Sequence, residues 1–329
     1  MNFSTARKRL RSSTSSWPTA TGRFLRPIAA RRKAVASAPV RDRTGRLAII
    51  AGHGFLPLHV AEAARAAGDE PFVICLEDEA DRDFSAFDHA VAGVGDQVRI
   101  ERLLRERGVK RVVMSGGVRR RPELRQIRPT VSTLLKMPQA LKTLLAGGDD
   151  AVLRMVISLF EGMGCRVVGV HEILPGLLAD TGTLGRHTPT AEDRRDIARG
   201  AEAARLLGQL DVGQGAVSVG GRIVALEGVE GTDAMVHRVG ELRASGRVSR
   251  RRRGALVKLC KPQQDMRADL PTIGPSTITA IVSAGLGGIA VEAGRALIVE
   301  RETMLKAADD AGVFVCGIDA GLPSLGIGS

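Results

Sequence analysis

The chain predicts an α/β protein of two domains: an N-terminal Rossmann-like parallel sheet with helices on both faces, and a C-terminal mixed α/β domain. Short apolar runs alternate with helical segments between residues 45 and 180, the spacing of strand–helix–strand units. Beyond residue 190 hairpin-like pairs of strands mix with helices, and no topology follows from the pattern. A length of 329 residues with 44% hydrophobic content suffices for two cores.

Residues 1–44 read as a basic, disordered extension: they hold 11 Lys/Arg against Asp42 alone, without lasting periodicity. Transit peptides share that composition. The formal net charge of +12 is therefore a property of the arm, because 37 basic residues face 35 acidic ones in the rest. With 3% aromatics and no Tyr there is no platform for stacking bases, so no nucleic-acid surface is expected beyond the arm. Cys75, Cys165, Cys260 and Cys316 stand apart in apolar runs and read as reduced core thiols. The charge-free span Leu270–Val291 is interrupted by two prolines and four glycines, so no transmembrane helix is expected, nor a signal-peptide core.

In chain order, Arg46–Ala51 reads as a buried strand, Gly52–Pro57 as a turn, and Pro57–Ala67 as a helix stopped by Gly68. Strands follow at Phe72–Leu76, His89–Ala92, Arg111–Met114 and Arg166–Val170, with helices at Gln97–Arg107, Val131–Leu145 and Asp150–Met163. Residues 45–180 form the first domain, 181–190 a linker, 191–320 the second domain and 321–329 a tail. The second domain opens with a helix from Thr190 to about Leu207. Its strands lie near Gly215–Val219, Arg222–Leu226, Ala255–Cys260, Gly288–Val291, Ala296–Val299 and Val313–Cys316, and its helices near Thr232–Arg243, Pro275–Ala284 and Arg301–Ala311.

The most informative stretch is Lys261–Gly274, a loop between the strand Ala255–Cys260 and a helix with proline in its first turn. It places Asp265 and Asp269 beside Lys261 and Arg267, oxygen ligands next to cations, a pattern suited to Mg²⁺ and a phosphate ester. The plainer alternative is a solvated loop. Glu227, Glu230 and Asp233 fall within seven residues at a strand–helix junction. Carboxylates at that density repel unless a cation offsets them, so Glu230 and Asp233 are candidates for a metal shell shared with Asp265 and Asp269. The alternative is N-capping of the next helix by Thr232 and Asp233. Glycines at 52 and 54, between first strand and first helix, let a phosphate approach a helix start. With Glu77 after the second strand they half-match a dinucleotide fingerprint, which keeps a nucleotide-dependent oxidoreductase as the alternative function. Ser115-Gly116-Gly117 ends another strand and faces the same edge, followed by Arg119, Arg120 and Arg121. His171 and Glu172 past the strand at 166–170 read as helix capping more readily than as an acid–base pair.

The string KPQQDMRADLPTIGPST (261–277) resembles the C-terminal signature of the LpxI-type UDP-2,3-diacylglucosamine pyrophosphatases of lipid A synthesis. AGHGFLP (51–57), the GGV turn (116–118), GVHEILP (169–175), LDVGQ (210–214), EGTDAM (230–235) and GIAVEAG (288–294) are similar to strings of the same family, in order, across Gly45–Gly317. The arm and the run Arg250–Arg253 depart from it. The resemblance implies hydrolysis of UDP-2,3-diacylglucosamine to UMP and 2,3-diacylglucosamine 1-phosphate (lipid X), with Asp269 as the catalytic aspartate. Asp265, Lys261 and Arg267 are the further catalytic candidates. Asp269, Asp265, Asp233 and Glu230 are the expected Mg²⁺ ligands. Gly52, Gly54, Leu56, Pro57, Gly116, Gly117, Gln214 and Thr232 are the expected substrate contacts. A homodimer and a peripheral position at the cytoplasmic face of the inner membrane complete the expectation.

Overall fold

The computed structural model describes residues 44–118 and 149–319. The basic arm, Arg119–Arg121, the helix expected over Val131–Leu145 and the C-terminal tail lie outside the described residues.

The first lobe is the expected parallel sheet. Its strands are β1 (Arg46–Ala51), β2 (Phe72–Leu76), β3 (Asp88–Ala92), β4 (Val109–Ser115) and β5 (Arg166–Val168). They lie in the order β3-β2-β1-β4-β5, and each pairing is parallel. Helices α1 (Leu56–Ala66), α2 (Gln97–Glu106) and α3 (Asp149–Gly162) cover it. Leu47, Ile49 and Ala51 pack on Val60, Ala61 and Ala64 of α1. Ala48 and Ile50 pack on the opposite side against Ile100 and Leu103 of α2 and Ile157 and Phe160 of α3. Burial of both faces is why β1 reads as an unbroken apolar run. The strand order reverses between β1 and β4, so a crevice opens beyond their carboxyl ends. The short helix α4 (Val170–Ile173) follows β5. Glu172 there accepts from Gly169 N at 3.1 Å, the capping role anticipated for it.

The second lobe begins with β6 (Gly182–Thr183) and α5 (Ala191–Gln209). The α5 start is a capping box: Asp193 N donates to Thr190 Oγ1 at 3.2 Å and Thr190 N to Asp193 Oδ2 at 2.9 Å. There follow β7 (Gly215–Val219), β8 (Arg222–Leu226), α6 (Gly231–Ala244), β9 (Ala255–Lys258), β10 (Thr272–Ile273), α7 (Pro275–Ser283), β11 (Gly288–Glu292), β12 (Leu297–Ile298), α8 (Arg301–Asp310) and β13 (Phe314–Ile318). Six of these strands form a mixed sheet, β6-β13-β11-β9-β7-β8, while β10 and β12 pair separately. Leu256, Ile289 and Val315 bury one face under α6, α7 and α8. Val257, Ala290 and Cys316 bury the other under Ile197, Ala201 and Ala204 of α5. Residues 182–183, inside the expected linker, pair antiparallel with Cys316 and Gly317 and extend this sheet.

The loop after β9 ties the lobes together. Cys260 and Leu270 from it, and Leu297 of β12, share one apolar cluster with Leu47, Ile49 and Val113 of the first lobe. Among the described residues no helix is long and apolar enough to cross a membrane.

Candidate active site

A cavity of about 730 Å³ opens where the carboxyl edge of the parallel sheet meets the second lobe. That volume lies within the range of small-ligand sites. Four helices begin on it: α1 at Leu56, α6 at Gly231, α7 at Pro275 and α8 just after Glu300. No N-cap side chain of the four accepts a hydrogen bond from its helix. Helix starts left without such caps present N–H groups and positive dipole to an anion.

The first-lobe wall is built by two glycine turns fastened to each other. Gly52 N donates to Ser115 O at 2.9 Å, His53 N to Gly117 O at 2.8 Å, and Gly117 N to His53 O at 3.0 Å. A Cβ on Gly52 would meet Gly117 O at 2.4 Å; one on Gly116, which sits at φ +86°, would meet His53 O at 2.7 Å. Gly54 N donates to Asp81 Oδ1 at 2.9 Å. Burial pushes the Asp81 carboxyl up, but that Gly54 N–H, His53 and Arg82 outweigh it and leave it lowered. The glycines therefore serve close backbone approach between the turns, and the N–H groups of residues 52–54 are occupied within the protein. Gly54, Leu56, Gly116 and Gly117 line the cavity; Gly52 and Pro57 support it from behind.

The loop from Lys261 to Gly274 is held by a side-chain network centred on buried Gln264. Lys261 N donates to Gln264 Oε1 at 3.0 Å, and Gln264 Nε2 donates to Asp269 Oδ2 at 3.2 Å. Asp269 and Arg267 line the cavity. Asp265 does not. Arg267 grips it through Nε at 3.0 Å and Nη2 at 2.7 Å while Nη1 reaches Glu161 of α3 at 2.8 Å. These guanidinium bonds hold the Asp265 carboxyl below the usual range. Lys261 also points elsewhere, its Nζ 2.6 Å from Asp211 Oδ1. Burial pushes the Cys260 thiol up to about 11, so it stays neutral.

On the second-lobe wall, Glu227 accepts from Thr232 Oγ1 at 2.6 Å and from Gln214 N at 3.2 Å, which fixes both expected substrate contacts at the cavity. Thr232 is thus bonded to Glu227, and the residue at the N-cap of α6 is Glu230, without a side-chain bond to the helix. Gln214 Oε1 and Ser115 Oγ are buried, line the cavity, and have no hydrogen-bond partner among the described residues. The sequence reading passed over two ionisable residues here. Glu300 takes a left-handed backbone, φ 48°, at the start of α8. Lys258, at the end of β9, is 6% exposed. Its signal was present: a lysine inside a strand otherwise read as buried.

The carboxylates at the cleft fit the expected Mg²⁺ only in part. Glu230, Asp233, Asp269 and Glu300 line the cavity, but Glu230 is 3.3 Å from Arg238 and Asp265 is committed to Arg267. Among the described residues no three His, Cys, Asp or Glu gather as a preformed metal shell. One or two carboxylates completed by substrate phosphate oxygens and water is the arrangement Mg²⁺ commonly takes, and the cavity fits that open kind of site, not a closed cage.

Fold and cleft define a two-lobed α/β protein with a cavity between the carboxyl edge of a parallel sheet and an ionisable loop. Profiles of the LpxI N-terminal domain and the LpxI C-terminal domain match residues 46–177 and 180–316. The UDP-2,3-diacylglucosamine pyrophosphatase LpxI of Caulobacter vibrioides is 41% identical over 276 residues, covering 83% of this chain and 98% of that protein. The chain belongs to the LpxI family.

Proposed function

We propose that the chain hydrolyses the diphosphate of UDP-2,3-diacylglucosamine, the substrate named for its Caulobacter relative. In the reaction the oxygen of water bonds to one phosphorus, the bridging P–O bond breaks, and UMP and 2,3-diacylglucosamine 1-phosphate leave as water sheds its proton. The observation that carries the reading is the convergence of four helix starts on one cleft beside Asp269. Their N–H groups face a diphosphate, and Phe55, Leu56, Val170, Met266, Leu297 and Val299 give the same cavity an apolar wall for the acyl chains. Ser115 Oγ and Gln214 Oε1 meet polar groups of the ligand. Asp269, held by Gln264, orients water or ligates metal. Arg267 lines the cavity while paired with Asp265 and Glu161, and from there contributes to stabilising charge on phosphoryl oxygens less than an unpaired cation would. Asp269 and Asp233 would hold Mg²⁺, which when bound would offset the negative charge of the diphosphate. Asp265 and Lys261 act at one remove: the first fixes Arg267, the second anchors the loop to Asp211. Glu77, the acid of the oxidoreductase reading, does not line the cavity, and that reading gains no support from the relative.

A homodimer belongs to the same reading, as the family resemblance implies it, and so does work at the inner membrane surface, because the substrate carries lipid chains. The test is UMP release from UDP-2,3-diacylglucosamine by the purified chain. Release abolished by EDTA and restored by Mg²⁺ is the expected result. No release overturns the substrate, and full release in excess chelator overturns the metal.

A further inference from the structure

The second lobe holds a buried cation that no carboxylate among the described residues pairs with. Lys258 ends β9 in the middle of the six-stranded sheet, its backbone opposite Gly215 of β7 and Val291 of β11. Side chains two apart on a strand share a face. Leu256 packs beneath α6, α7 and α8, so Lys258 projects on the side where α6 and α7 begin, and it lines the cavity. It is 94% buried, the complement of its 6% exposure. Its Nζ has a single bond, to Thr272 O at 3.5 Å, the outer limit of a hydrogen bond. Lys261 and Lys306, by contrast, reach Asp211 and Asp310, each at 2.6 Å. No carboxylate pairs with Lys258 among the described residues. A buried ammonium without a counter-charge costs stability, and a fold that retains one in its binding cleft leaves the counter-charge to the ligand.

We infer that Lys258 is the cation that binds the diphosphate of the nucleotide ligand, supplying the charge that Lys261, three residues on and already paired, does not. The inference rests on the proposed function for the identity of the ligand. Its chemistry is that of a nucleoside diphosphate: an anion at the four helix starts, with an ammonium fixed on the strand beneath them.

Full-length wild type, Lys258→Met and Lys258→Gln are compared in two measurements: melting temperature with and without UDP, and UMP release from UDP-2,3-diacylglucosamine. Without ligand both variants should melt at or above the wild-type temperature, because an uncompensated charge has gone. UDP should raise the melting temperature of wild type and leave the variants unmoved. Turnover should fall about 10²-fold, the scale for losing one positioned electrostatic group. A lysine kept for structure predicts the reverse: lower melting and normal turnover in the folded fraction. Turnover within about threefold of wild type in either folded variant would overturn the inference, and so would UDP protection of the variants. Failure of both variants to fold would overturn it as well, since it takes Lys258 to burden the ligand-free fold. Wild type that UDP stabilises through Lys258, yet that releases no UMP, would overturn the substrate reading alone.

Discussion

The two walls of the cleft are built from opposite materials. From the first lobe come His53, Gly54, Phe55, Leu56 and the turn Ser115–Gly117, and among the described residues no Asp, Glu, Lys or Arg of that lobe lines the cavity. Its main-chain groups are largely bonded to each other. From the second lobe come Glu230, Asp233, Lys258, Arg267, Asp269 and Glu300. The first wall supplies shape and one helix start; the second supplies the Asp, Glu, Lys and Arg side chains. A rigid, nearly uncharged surface is suited to recognition, and a set of positioned charges to stabilising the transition state. Lys258 apart, since it is inferred to hold the diphosphate in the ground state as well, substitutions on the two walls should therefore separate in kinetics.

The largest effect belongs to Asp269→Ala. Turnover should fall by about 10²-fold or more while the melting temperature stays near wild type. Near-normal turnover in a folded variant would remove Asp269 from the mechanism. Next is Gln264→Leu, which frees Asp269 without touching ligand. About a tenfold loss in kcat with little change in KM is expected, the lower end for an outer residue that orients a reacting group. Loss of melting temperature alone would make Gln264 a packing residue. On the other wall, Gly116→Ala places a Cβ 2.7 Å from His53 O at φ +86°. It should cost roughly 1–3 kcal/mol of stability and raise KM more than it lowers kcat. A pure kcat effect would contradict the division between the walls.

The smallest effect is a pH dependence. The Asp265 carboxyl lies lower when folded than its ordinary 3.8, chiefly through the Arg267 hydrogen bonds. Its contribution to stability is thus fully present above that value and lost as pH falls through the lowered folded value. Asp265→Asn should flatten that part of an acid melting curve and leave the curve above pH 5 parallel to wild type, by the same linkage. An unchanged acid limb would mean that the pair contributes nothing.

Local pattern made the first lobe legible. Its strands are apolar on both faces because helices cover both, and its helices carry amphipathic spacing. The second lobe's strand order was not legible, since β6, β10 and β12 are two residues each and pair far along the chain. Much of the site was visible as residue types and less as roles. The glycines at 52 and 116 stood out, but their purpose, backbone contact between two distant turns, is a long-range fact. Asp265 and Lys261 resembled Asp269 and Arg267 in sequence. What separates them is that Arg267 closes on Asp265, and that Asp211, 50 residues before Lys261, reaches back to it. Lys258 is the instructive omission: a charge inside a buried strand was read as part of the strand.

The division between the walls is tested most directly by titrating UDP-2,3-diacylglucosamine calorimetrically into Asp269→Ala and into Asp269→Ala combined with Gly116→Ala. With hydrolysis disabled, affinity alone is read. The single variant should bind strongly, and adding Gly116→Ala should weaken binding about tenfold, a difference of 1.4 kcal/mol. Loss of binding in Asp269→Ala itself, or an equal affinity in the two proteins, would contradict that division.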